Sequence, residues 1–254
     1  MSADLDTVAQ PIDNYIRYQE MVFRRQQRLL RAAMRGMDGA DARREELVAQ
    51  IRGSARKRRN EEELQERLYL VAFLGGEDEY DALVELVTPE DEEDPQYLDI
   101  AEHPLLRDEE TRAGFYAALG TLGQQLGNRD SSRLETLAQL LRRGMSDEAP
   151  DVKIAAAGAV SRSVKYSRQG MAHYAPLVRP LLRMLGDPGW SVKRAAVSAL
   201  ADIPTPESQR ALERFGSREE DLHLKRFAAW ALNRVRERSG VFRSLLDSVR
   251  KTKR

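Results

Sequence analysis

The chain has 254 residues and no cysteine, which removes disulfides, thiolate nucleophiles and cysteine-ligated zinc together and suits any reducing compartment. Histidine is scarce as well. His103, His173 and His223 are the only three, and none stands at the i, i+4 spacing of a helical metal pair. Aromatic residues make up 6% of the chain, with two tryptophans; that is too few to interleave with basic residues for stacking on single strands. The longest clean apolar run, Leu68 to Leu74, is far too short to span a bilayer. Asp4 and Asp6 stand where a signal peptide would carry basic and then apolar residues, so a cytoplasmic protein is expected. Phosphate loops, dinucleotide glycine motifs, His-Glu-x-x-His and Gly-x-Ser-x-Gly are all missing. No catalytic residue, metal or cofactor is predicted, and the expected role is non-enzymatic.

Basic and acidic residues balance at 41 each, yet they are unevenly placed. Residues 61–111 hold 19 of the acids and two arginines, whereas 112–254 hold 26 basic groups and 14 acidic ones. An acidic middle between basic ends points to self-association, an acidic partner or nucleic acid. Only seven of the basic residues are lysine, a bias that reads as a GC-rich, prokaryotic coding sequence.

The pattern that organises the chain is Asp187-Pro188-Gly189-Trp190 followed by Val192-Lys193-Arg194-Ala195-Ala196 and Ala199-Leu200. Asp187 before Pro188 reads as a helix start, the carboxylate capping the first turn and proline taking the first helical position. From Val192 the apolar positions fall at i, i+3, i+4, i+7 and i+8, one buried face rich in alanine, so a neighbouring helix should come close. The same frame begins again at Thr111, Val152 and Leu224. Each copy has Lys or Arg second, then alanine and an aliphatic at the seventh and eighth steps. Spacings of 41, 40 and 32 residues are those of helical-pair repeats.

Through Leu181-Leu182, the Asp187 to Leu200 block and the following Thr205-Pro206-Glu207, the chain resembles the HEAT repeats, most closely the armadillo-type subset called phycobilisome-lyase HEAT-like repeats. The resemblance covers roughly 80–236. It implies an all-α fold in which antiparallel helix pairs stack into an alpha-alpha superhelix. It implies no single activity, since such repeats serve adaptors, transport factors, chromosome-associated proteins and a few enzymes.

Three regions are expected: an N-terminal helical extension or cap over 1–60, a solenoid over 61–238 with an acidic loop at 88–107, and a capping helix with a basic tail over 239–254. Residues 12–37 read as a long amphipathic helix that packs on the first repeat or pairs with another copy. Arg56-Lys57-Arg58-Arg59 ends a second helix and needs no ligand to explain it. A third helix, 61–74, opens at Asn60. The acidic loop offers oxygen ligands without EF-hand spacing, and reads as solvated rather than as a calcium site. Helix pairs follow at Ser131 to Arg143 with Pro150 to Tyr166, Tyr174 to Leu185 with Pro188 to Asp202, and Pro206 to Phe215 with Leu222 to Arg238. A separate helix, Val241 to Arg250, is expected to cover the open end.

On a helix advancing about 100° per residue, positions two, six and nine after the frame's first face away from the buried stripe. They are Ala113, Ala117 and Gly120; Ile154, Gly158 and Ser161; Arg194, Ser198 and Ala201; and Arg226, Trp230 and Asn233. This inner face is smooth early and arginine-bearing late. Lys153, Lys193 and Lys225 flank it and are expected to make inter-repeat bonds to acids such as Asp151, Asp187 or Asp221. Trp190 reads as a packed cap at a helix start. Trp230 reads either as covered by Phe242 and Leu245 or as an exposed anchor stacked under Arg226. The candidate partner-binding set is Lys193, Arg194, Lys225, Arg226, Trp230 and Asn233. The partner expected is another protein with an acidic segment, with nucleic acid second and a phycobilin-lyase-like enzyme third.

Overall fold

A computed structural model describes residues 40–57, 76–88, 106–126, 131–164 and 171–252, with 64, 67, 68, 70, 71, 100 and 103 between them and side chains as far as Ser239. The expected helix at 12–37, the cap at Asn60 and the acidic run at 89–95 lie outside those residues.

Every regular element among the described residues is a helix: α1 Ala40–Lys57, α2 Glu77–Leu86, α3 Glu109–Leu126, α4 Ser131–Gly144, α5 Pro150–Val164, α6 Met171–Tyr174, α7 Val178–Met184, α8 Trp190–Asp202, α9 Pro206–Arg218 and α10 Leu222–Thr252. Leu64, Leu68 and Val71 are helical and buried in the same core as these helices. The fold is an all-α solenoid of two layers. One layer runs α3, α5, α8, α10, each helix packed on the next, while α4, α7 and α9 pack behind their partners α5, α8 and α10. A single apolar core runs from Leu47 to Val235 between the layers.

The predicted stripe forms that core. Val192, Ala196, Ala199 and Leu200 are buried, as are Val152, Ala156, Ala159 and Val160 in the copy before. Small residues set the spacing: a Cβ on Gly120 of α3 would stand 2.5 Å from Ala159 Cα of α5, so the two backbones meet there. Gly120 is therefore packed between helices rather than on the open face, and Ala201 is likewise buried. The stripe's angular width was underestimated at its ninth position, where the neighbouring helix curls in.

Three helix boundaries differ from expectation. Asp187 caps a turn, not a helix: its Oδ1 accepts from Gly189 N at 2.9 Å, and α8 starts only at Trp190. The stretch 174–185 is broken by a 3-10 turn at Ala175–Leu177, with Pro176 at its start. The chain runs through Gly240 as one helix from Leu222 to Thr252, so no separate helix turns back after 238. At α9 the cap is a side chain: Thr205 Oγ1 accepts from Ser208 N at 3.1 Å ahead of Pro206.

Candidate partner-binding surface

The second position of the frame carries a cation in each repeat, and three of the four cations are used to join repeats. Arg112 Nε donates to Asp147 Oδ2 at 2.8 Å, Lys153 Nζ to Asp187 Oδ2 at 2.8 Å, and Lys193 Nζ to Glu219 Oε2 at 3.0 Å. Each acid also holds its own turn, accepting from the backbone N-H two residues on: Ala149, Gly189 and Asp221. Asp187 was expected in this role. The other two acids are Asp147 and Glu219, because Asp151 and Asp221 sit a turn too late, and Asp221 instead caps α10 by accepting from Leu224 N at 2.8 Å. The Lys153 hydrogen bond, followed by that from Gly189, holds Asp187 below the usual carboxylate range. Lys193 is thus a structural cation. Lys225, the last of the four, is exposed and has no ion pair among the described residues.

Beyond these pairs, the open side of α8 and α10 carries rings and guanidinium groups in alternation. Trp190 is 42% exposed, not the packed cap expected, and the Arg194 guanidinium carbon lies 5.6 Å from its ring centroid. The same group stands 6.0 Å from the Phe227 ring on α10. Phe227 stacks on Trp230 with centroids 4.9 Å apart and planes 13° from parallel. Arg234 closes the row 5.5 Å from the Trp230 centroid, and its Nη2 donates to Asp202 Oδ1 at 3.0 Å.

Two sequence readings of Trp230 are corrected by this row. At 7% exposed it is no surface anchor, and its cation is Arg234, one turn after it, rather than Arg226, one turn before. The side chains of Phe242 and Leu245, the other cover expected for Trp230, lie outside those described. Phe227 and Arg234 supply the cover. Arg194 and Arg226 are exposed and Asn233 is half-buried on the same side. Trp190 was missed, although the signal was present: two residues before the frame's first position, the 100° rule places it 40° from Arg194 on the open side.

Among the described residues no group of three or more His, Cys, Asp or Glu is placed to hold a metal, and no helix is long and apolar enough to cross a membrane. A groove between α1 and α2 carries arginines too, but Arg44 and Arg52 are tied up by Glu79 and Glu85. Among the described residues of the α3, α5, α8, α10 layer the exposed cations without an acid are Arg194, Lys225 and Arg226, while α4, α7 and α9 carry exposed arginines on the other layer.

No protein-family model matches the chain, and no curated protein matches it. Among solved structures it is similar to a designed armadillo repeat protein in complex with the peptide (KR)4, at 18% identity and a TM-score of 0.50 over 85% of this chain and 94% of that one. It is also similar to computationally designed armadillo repeat proteins for modular peptide recognition, at 17% identity and a TM-score of 0.48, over 84% and 92%. The HEAT-like resemblance of the sequence is thereby met at the level of an armadillo-type helical repeat solenoid.

Proposed function

We propose that this chain is a non-enzymatic repeat scaffold that holds another protein along the open side of α3, α5, α8 and α10, with an acidic segment of that partner at the C-terminal end. The observation that carries this reading is the segregation of cations: Arg112, Lys153 and Lys193 are consumed in joining repeats, whereas Arg194, Lys225 and Arg226 are exposed beside an exposed tryptophan. Arginine and tryptophan are the side chains most enriched where interface energy concentrates. Arg194 is already oriented by the Trp190 and Phe227 rings, which lowers the entropy lost on binding. The designed armadillo neighbour is titled for its complex with a basic peptide; the free charge here has the opposite sign from what a basic peptide would need, so an acidic one is expected. Nucleic acid suits this face less well, because Arg194, Lys225 and Arg226 are few for a phosphate backbone and α3 opens on Asp108, Glu109 and Glu110, which repel phosphates.

Co-purification from the native host with mass spectrometry identifies the partner, and the purified pair then tests the surface. Arg194→Ala with Arg226→Ala should weaken that pair at least tenfold while the melting temperature stays unchanged. Retained affinity would remove these arginines from the interface, and a pigment-ligation activity in the purified chain would replace the scaffold reading with the lyase one.

A further inference from the structure

Arg162 and Arg234 occupy the same place in two copies of the frame, ten residues after Val152 and Leu224. In the last copy the guanidinium has an acid. Arg234 lies over the Trp230 ring, four residues before it, and reaches Asp202, which stands at the tenth position of the preceding copy. In the copy at Arg162 both supports are replaced. Gly158 stands where Trp230 does, and Thr121 stands where Asp202 does.

The guanidinium is nevertheless laid down in the same way. A Cβ on Gly158 would be 3.9 Å from both Arg162 Nη1 and Nη2, and one on Gly120 would be 3.2 Å from Nε. The side chain therefore lies back along α5 over bare glycine and against α3. Its Nε is buried without a hydrogen-bond partner, as is that of Arg234, but Arg234 has Asp202 on its Nη2 and Arg162 has no acid among the described residues. Burial alone pulls the arginine pKa below its ordinary value, with no acid to offset it. A desolvated charge left unpaired is costly to the free fold.

We propose that the Arg162 guanidinium, lying over Gly158, is a seat for one carboxylate side chain of an extended acidic segment of a partner protein, which supplies from outside what Asp202 supplies to Arg234 within the chain. The planar fork of arginine matches a carboxylate with two parallel hydrogen bonds. Gly158 is half-buried and meets only the arginine itself, so no side chain at that position stands in the way of the partner's carboxylate. This site rests on the reading of the α3, α5, α8, α10 face as the one that binds the partner, and it adds a second contact about two repeats away from Arg226.

The probe is a fluorescein-labelled (DE)4 peptide, with (NQ)4 as the uncharged control, followed by anisotropy and by melting of the full chain. The unmodified protein should bind (DE)4 at least tenfold more tightly than (NQ)4 and melt higher in its presence. Arg162→Met should lose at least tenfold in (DE)4 affinity while melting no lower than the parent, because it removes an unpaired buried charge; Arg142→Met, an exposed control on α4, should lose less than twofold. Thr121→Asp rebuilds the internal acid and should also abolish (DE)4 binding, by occupying the seat. The proposal is overturned if the unmodified chain shows no preference for (DE)4, if Arg162→Met binds it within twofold of the parent or melts lower, or if Thr121→Asp binds it undiminished. Loss of (DE)4 on replacing Arg194 and Arg226 but not Arg162 would sink this seat and leave the scaffold reading standing.

Discussion

Trp190 and Trp230 differ from one another by environment alone, and the difference can be measured. Trp190 meets solvent on one face and Arg194 on the other, whereas Trp230 is enclosed by Phe227 and Arg234. Trp190→Phe should therefore leave a chain that emits at short wavelength, and Trp230→Phe one that emits at long wavelength and is readily quenched by iodide. Truncation after Ser239 should not move the emission of Trp230, since its cover lies within the preceding three turns. A red shift on truncation would show that the tail reaches back over the ring. Periodicity reveals the rotational phase of each side chain, and that phase put Arg194, Arg226 and Trp230 on the side opposite the stripe. It does not reveal how far a neighbouring helix intrudes. Trp230, at 240° on the wheel, is covered by Phe227 and by Arg234, which Asp202 of α8 holds in place, and Arg162 is held against Gly120, a residue 42 positions earlier.

At the scale of the element, the repeats are held by an apolar stripe and by an ion pair that recurs at each junction, with Arg234 and Arg238 on Asp202 added at the last, and the pairs are not equal. The Arg112 and Asp147 side chains are 7% and 8% exposed, while those of Arg52 and Glu85 are 44% and 52% exposed. Removing one partner of a buried pair strands the other charge, at about 3 to 5 kcal/mol, against about 0 to 1 kcal/mol for an exposed pair. Asp147→Ala should thus destabilise the chain several-fold more than Glu85→Ala in a denaturant melt; equal losses would contradict the junction role. Acid acts on the same joints. Asp187 is depressed in the fold by Lys153 and Gly189, so its contribution is present above the unfolded value of about 3.9 and is lost as pH falls through the lower folded value. Lys153→Met should flatten that part of the acid melt. These joints were legible as a recurring cation at the second frame position. Their acids were harder to find, because the intervening loops vary in length, and Asp147, Asp187 and Glu219 stand 35, 34 and 26 residues after their cations.

For the whole molecule, the architecture was the most legible level, because four copies of one frame each repeat the same burial instruction. The partner surface was less so, since a side chain's availability depends on whether another repeat has already claimed it. Lys193 and Arg194 are neighbours in sequence with opposite fates: Lys193 is bound to Glu219, and Arg194 faces solvent over Trp190. The central claim is that the layer carrying Arg194 and Arg226 is the one that meets the partner. Hydrogen exchange on the complex, compared with the free chain, tests it most directly. Slowed exchange is expected at the exposed starts of α8 and α10, in peptides covering 189–194 and 221–226, with α4 and α9 unchanged. Protection confined to α4 and α9, with those α8 and α10 peptides exchanging as in the free chain, would contradict it.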